Sequence, residues 1–233
     1  MANVISNVAL VPGIYVMKIE GTFKGEMGQF YMLRSGTGYP LLPRPISIYD
    51  IGDEDISFLY RVVGEGTSLF SQLQPGQEIQ LDGPFGNGFP QVEGSLALVG
   101  GGMGTAPLLL AAKHYPHAHV YLGFAQQSFG VDAFEAAAAS VQVRVGGSIV
   151  EKVDPARYVN MFSCGPTPML QALAEKTEGS SSRLYISTER HMACGIGACL
   201  GCTMHTRGGN KRVCKEGPVF PVEEVDFDDL HGV

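Results

Sequence analysis

Two changes of rhythm along the 233 residues predict a multidomain chain of α+β and α/β class. Short alternating apolar runs, punctuated by Gly and Pro, fill the first ~90 residues and predict a small antiparallel β-barrel. Continuous apolar strands alternating with helical runs come next and predict a parallel sheet covered on both faces. Four of the five cysteines then crowd into 194–214 and predict a small C-terminal subdomain built around them. The expected division is 1–92, 93–187 and 188–233.

In the first part Ile14–Glu20 alternates, with Tyr15, Met17 and Ile19 on one side of the strand. Further strands are expected at 29–33, 46–49 and 56–63, the last ending in the turn Gly64-Glu65-Gly66. A short helix is expected near 68–73, and Pro75-Gly76 turns the chain into a strand at 78–81. The second part offers strands at 96–99, 120–124, 141–145, 159–162 and Arg183–Ser187. Helices are expected between them at 106–112, 132–139 and 168–176.

Hydrophobic content of 45% and charged content of 17% describe an ordinary folded protein. A net charge of −7 excludes a general nucleic-acid binder, which needs a basic face for phosphates. No apolar run reaches the ~18 residues of a membrane span, and the first residues lack the basic start of a secretory signal. No membrane association is expected, and the cytoplasm is the expected location. An odd, clustered cysteine set suits a metal centre in a reducing compartment better than a disulfide framework.

The cysteine spacing is Cys194-x4-Cys199-x2-Cys202, then eleven residues, then Cys214. The first three match the plant-type [2Fe–2S] arrangement, in which a distant fourth cysteine completes the ligand set. Gly195, Gly197 and Gly201 let such a loop bend and turn backbone N–H groups toward negatively charged sulfur. A structural zinc site is the alternative; it usually pairs two Cys-x2-Cys units, and this chain has one. His191 and His205 flank the loop and are expected to be solvated surface residues.

Arg44-Pro45-Ile46-Ser47 can present a guanidinium fork to a phosphate and a hydroxyl to a flavin ring. Leu59-Tyr60-Arg61 and Gly66-Thr67-Ser68 lie downstream; the latter can open a helix and offer donors to a pyrophosphate. Tyr60 either stacks on a ligand or packs in the core. Gly100-Gly101-Gly102-Met103-Gly104-Thr105 follows a strand and lets backbone approach a dinucleotide, although it departs from the G-x-G-x-x-G pattern. Cys164-Gly165-Pro166 stands at the C-terminal end of a strand, where open α/β sheets place ligands, and Cys164 on its own is equally a core thiol.

Together and in this order, these segments resemble the ferredoxin–NAD(P) reductase superfamily: flavin barrel first, Rossmann-like nicotinamide domain second. The segment Arg190-His191-Met192-Ala193-Cys194-Gly195-Ile196-Gly197-Ala198-Cys199-Leu200-Gly201-Cys202 is similar to that of the electron-transfer subunits of class 1B dihydroorotate dehydrogenases. The resemblance spans nearly the whole chain. Met27-Gly28-Gln29-Phe30 departs from the usual Pro-Gly-Gln-Phe and loses a rigid turn.

The resemblance implies FAD held by Arg44, Pro45, Ile46, Ser47, Leu59, Tyr60, Arg61, Gly66 and Thr67. It implies a nicotinamide site at Gly101, Gly102, Gly104, Thr105, Cys164, Gly165 and Pro166, with Cys164 the one candidate near the chemistry. Cys194, Cys199, Cys202 and Cys214 would bind the [2Fe–2S] cluster. The implied function is electron transfer, within pyrimidine biosynthesis, from the FMN of a dihydroorotate-oxidising partner to NAD⁺, in a heterotetramer of two of each subunit. Phe124-Ala125-Gln126-Gln127-Ser128 offers no Arg for a 2′-phosphate, so NAD is expected over NADP. About 46 residues follow the nicotinamide domain, too few to bury a cluster alone, so the loop is expected at a subunit interface. The acidic end, Glu223 to Asp229, reads as a solvated tail or as a partner contact. Two other readings stay open: a reductase subunit of a sulfide dehydrogenase, hydrogenase or ferredoxin:NADP oxidoreductase, and a zinc-binding interaction module.

Overall fold

A computed structural model describes residues 1–36 and 39–230. Six strands close the N-terminal barrel: β1 (Ala2–Val11), β2 (Ile14–Glu20), β3 (Phe30–Ser35), β4 (Arg44–Ile51), β5 (Asp55–Arg61) and β6 (Glu78–Phe85). Their order round the barrel is β1-β2-β5-β4-β3-β6. Val4, Met17, Ile19, Leu33, Ile48, Phe58 and Ile79 fill it, each at most 1% exposed. Helix α1 (Glu65–Ser71) closes one end by setting Phe70 edge-on to Tyr60. β1 is absent from the sequence-based expectation. Of its ten residues only Val4 is buried, so pairing with β2 holds the strand and no apolar alternation marks it.

The second part contributes β7 (Leu96–Gly101), β8 (His119–Phe124), β9 (Ser140–Val145), β10 (Asn160–Cys164) and β11 (Arg183–Ser187). These five run parallel, joined through α2 (Leu109–His114), α3 (Val131–Glu135) and α4 (Thr167–Thr177). Two expected helices differ from what forms. Residues 102–108 make a tighter 3₁₀ turn with Pro107 inside it, and α2 proper starts at Leu109. The expected helix at 132–139 shortens to α3, because the Ala139 N–H pairs with the Ala118 carbonyl as the chain re-enters the sheet.

The cysteine segment adds the hairpin β12 (Thr203–Thr206) and β13 (Gly209–Arg212), the strand β14 (Val219–Pro221) and α5 (Phe227–Leu230). β14 pairs antiparallel with β11, so the sheet order is β14-β11-β10-β7-β8-β9 with one antiparallel edge. The acidic end is therefore no solvated tail. Val225 and Leu230 are buried among Phe30, Met32 and Phe220, Glu224 pairs with Lys211, and Asp229 pairs with Arg190. The two larger parts also share a core: Ile14, Tyr49 and Leu59 of the barrel pack with Leu96, Leu108 and Leu109. Lys113 bridges to Asp50 across the same seam at 2.5 Å.

Candidate functional site

Barrel, sheet and cysteine segment meet around a cleft of about 890 Å³, within the range of cofactor pockets. β4 supplies Arg44, Pro45, Ile46 and Ser47, and β5 supplies Leu59, Tyr60 and Arg61. Thr67 of α1, Met103 and Ala106 also line it. The Arg44 guanidinium lies over the backbone of Gly66; a Cβ there would sit 2.6 Å from Nε and 2.8 Å from Cζ. Arg44 also donates to the Leu42 carbonyl, which fixes the fork at the cleft wall.

Two of these residues are held by partners inside the protein. The Thr67 hydroxyl accepts from Val63 N at 2.9 Å and Gly64 N at 3.2 Å and donates to the Gly64 carbonyl. It builds the turn before α1, leaving backbone N–H groups as the donors there. The Tyr60 ring is buried against Tyr15 and Phe70, and its hydroxyl donates to Asn7 Oδ1 at 3.0 Å. Tyr60 therefore packs, and burial pushes its phenol up from the ordinary value.

Across the cleft, the glycine turn after β7 meets the loop after β10. A Cβ on Gly104 would strike the Cys164 carbonyl, and one on Gly101 would lie 2.6 Å from Met169 Sδ and 2.8 Å from Pro166 Cδ. Backbone thus touches backbone, bringing Gly101, Gly102 and Gly104 beside Gly165 and Pro166. Thr105 is buried and donates to the Gly102 carbonyl at 2.9 Å. Cys164 is buried too, and desolvation pushes its thiol up from the ordinary value. A second cavity of about 370 Å³ lies at the ends of β10 and β11, lined by Gly165, Pro166, Thr167, Ser187 and Glu189.

The four clustered cysteines form a third locus. Cys202 and Cys214 are buried, Cys194 is half-buried and Cys199 is exposed. Each sulfur accepts a backbone N–H. Gly197 donates to Cys214 at 3.1 Å, Cys199 to Cys194 at 3.4 Å, Gly201 to Cys199 at 3.5 Å and Cys214 to Cys202 at 3.5 Å. The Cys199 N–H and neighbouring donors pull the Cys194 thiol down to about 6. Burial, with Cys202 alongside, pushes Cys214 up to about 12. Cys194 interacts with Cys199 and Cys214 with Cys202, and Cys194 also acts on Cys214.

Four thiolates, with N–H groups aimed at sulfur, fit the two irons and the negative charge of a [2Fe–2S] cluster. The histidines stay apart: His205 bonds Asn210 through its ring, and His191 is exposed at the cleft.

Residues 189–226 match the family described as the iron-sulfur cluster binding domain of dihydroorotate dehydrogenase B. Over 97% of both chains, the sequence is 43% identical to the dihydroorotate dehydrogenase B (NAD(+)) electron transfer subunit of Clostridium acetobutylicum. The chain belongs to that family. A second member, from Caldanaerobacter subterraneus, is 41% identical over 97% of this chain and 98% of its own. Among solved structures, one of an NADH-dependent reduced ferredoxin-NADP oxidoreductase superposes with a TM-score of 0.89. That match has 25% identity and covers 99% of this chain and 91% of that one. A ferredoxin reductase of carbazole 1,9a-dioxygenase shares the fold at a TM-score of 0.66, covering 78% of this chain and 65% of that one.

For this dihydroorotate dehydrogenase B family member, sequence reasoning missed one wall of the cleft. Glu189, Arg190, His191 and Met192 form a strap from β11 to Cys194 and line the cleft throughout. Glu189 also lines the second cavity, and desolvation raises its pKa. The strap lies outside both regular elements and the cysteine spacing, yet the short tie between them confines it to the cleft rim.

Proposed function

We propose that the chain is the electron-transfer subunit of an NAD-linked dihydroorotate dehydrogenase, a role in pyrimidine biosynthesis, with FAD and a [2Fe–2S] cluster as cofactors. The carrying observation is the grouping of four sulfurs, each met by a backbone N–H, beside a cleft walled by Arg44, Ser47 and the strap. When bound, the cluster exchanges single electrons and the flavin converts them to the hydride of a nicotinamide.

The chain's own residues hold and order these groups. Cys194, Cys199, Cys202 and Cys214 would hold the cluster, with the backbone N–H groups that meet their sulfurs offsetting its negative charge. Arg44, seated on Gly66, and Arg61 meet the phosphates of FAD, while Pro45, Ile46, Ser47 and Leu59 form the wall for its ring. Tyr60 and Thr67 keep that wall and the α1 turn in shape. Gly101, Gly102 and Gly104 with Gly165 and Pro166 receive NAD, supported from behind by Thr105 and Cys164. The absence of Arg from 124–128 favours NAD over NADP. The ranges 1–92, 93–187 and 188–233 serve as barrel, nicotinamide and cluster units.

A catalytic partner subunit, which we read as FMN-containing and present in a two-plus-two heterotetramer, covers the cluster face. Cys199 is exposed there, and Leu41, Leu42, Ile196 and Leu200 are 76, 51, 59 and 61% exposed. Leu41, Leu42 and Ile196 share a depression with Cys194, so the apolar patch rims the cluster loop. Among the described residues no helix is long and apolar enough to cross a membrane; a cytoplasmic site fits this and the thiolate cluster. The test is purification with any associated subunit, then an assay for NADH formation driven by dihydroorotate. A complex holding FAD and iron that oxidises sulfide, hydrogen or ferredoxin instead would overturn the pyrimidine assignment.

A further inference from the structure

The strap touches both proposed cofactor sites, and Arg190 is its permanent cation. The Arg190 side chain is 14% exposed, and its Nη2 donates to the Asp229 carboxylate and to the Asp229 carbonyl, the latter at 2.6 Å. Its Nε is buried and meets no acceptor in the protein. Asp229 is shared as well, since its Oδ2 also accepts the backbone N–H of His205 at 3.1 Å. The guanidinium charge is thus incompletely compensated, in a wall where water screens it poorly.

We propose that the Arg190–Asp229 pair sets the reduction potential of the flavin in the cleft, Arg190 raising it and Asp229 limiting the rise. The proposal rests on the flavin reading of the cleft given above. Uptake of two electrons and one proton leaves an isoalloxazine one unit more negative, and a nearby cation favours that state. The electrons come from the dihydroorotate-oxidising partner and leave to NAD⁺ as a hydride. Arg44 and Arg61 on the barrel wall, and Glu189 and His191 in the strap, also line the cleft. None of them bonds Asp229, whose other partner is the backbone N–H of His205, so substitution at Asp229 leaves these other charges of the cleft in place.

The test is spectroelectrochemical titration of the flavin at fixed pH in the purified complex, with FAD content and cluster absorbance as loading controls. Arg190→Gln leaves the Asp229 carboxylate uncompensated and should lower the potential. Asp229→Asn leaves the guanidinium uncompensated and should raise it, while Arg190→Lys should stay near wild type. Both Arg190→Gln and Asp229→Asn break the same contact, so a purely structural role would move them in one direction together. A shift of the same sign in both, or no shift in variants that retain FAD, would overturn the proposal. Should Arg190→Gln fail to fold, Asp229→Asn decides alone: a raised potential supports the pair, and an unchanged or lowered one rejects it. A wild-type complex without FAD would instead sink the cleft reading, and this proposal with it.

Discussion

At Gly66 the first turn of α1 passes directly under the Arg44 guanidinium, closer than any side chain allows. Gly66→Ala pushes a Cβ into that space and displaces the charged fork from the proposed phosphate position. FAD affinity should fall about ten- to hundredfold, the loss expected for a charged hydrogen bond of roughly 1.5–3 kcal/mol. Fluorescence titration of the flavin-free chain reads this directly. The cysteines separate by the same local logic. Cys164 is buried behind the glycine turn, so Cys164→Ala should cost on the order of 1 kcal/mol of stability and leave iron content unchanged. Cys199→Ser, by contrast, removes a proposed ligand and should bleach the cluster absorbance. Equal iron loss in both variants would show that Cys164 belongs to the ligand set.

The cysteine loop and the β12–β13 hairpin are joined by one side chain at the element scale. Arg212 donates to the Gly197 carbonyl at 3.1 Å and is held in place by Glu216, whose carboxyl it keeps below its ordinary range. The N–H of the same Gly197 donates to Cys214 Sγ, so Arg212 fixes the glycine that bridges the loop to Cys214, the proposed fourth ligand. Arg212→Ala should speed iron release to a chelator by about tenfold, followed by loss of visible absorbance. Unchanged release would show that the loop holds itself. The elements were unevenly legible in the sequence. Period-two alternation marked β2, and the cysteine spacing marked the cluster loop, because both are local signals. β1 escaped because it buries a single residue, and α3 stopped short because a sheet hydrogen bond outweighed a run of alanines. The Arg44–Gly66 stack and the Arg212 clamp join residues distant in sequence, so spacing carried no trace of them, and although Arg190, His191 and Met192 open the cysteine segment, nothing in that spacing marks them as a cleft wall.

Barrel and sheet behave as one body across the whole molecule. Leu110 packs against both cores, and Lys113 ties to Asp50 over the seam. Leu110→Ala should destabilise the protein by about 2 kcal/mol in one calorimetric transition. Two separated transitions would mean that the barrel and sheet unfold independently. Ile196 and Leu200 stand exposed on the cysteine loop, where we propose that the partner docks, and Leu200 sits in a left-handed conformation with φ of 62°. Ile196→Asp or Leu200→Asp should weaken association with the catalytic partner by roughly tenfold, read by co-purification or binding titration. Every one of these relations presumes a two-iron cluster and a flavin held by one chain. The most direct check is quantitative analysis of iron, acid-labile sulfide, zinc and FAD in the purified protein. The expected result is about two irons, about two sulfides and about one FAD per chain, with negligible zinc. A colourless protein carrying about one zinc per chain, without sulfide or flavin, would contradict it.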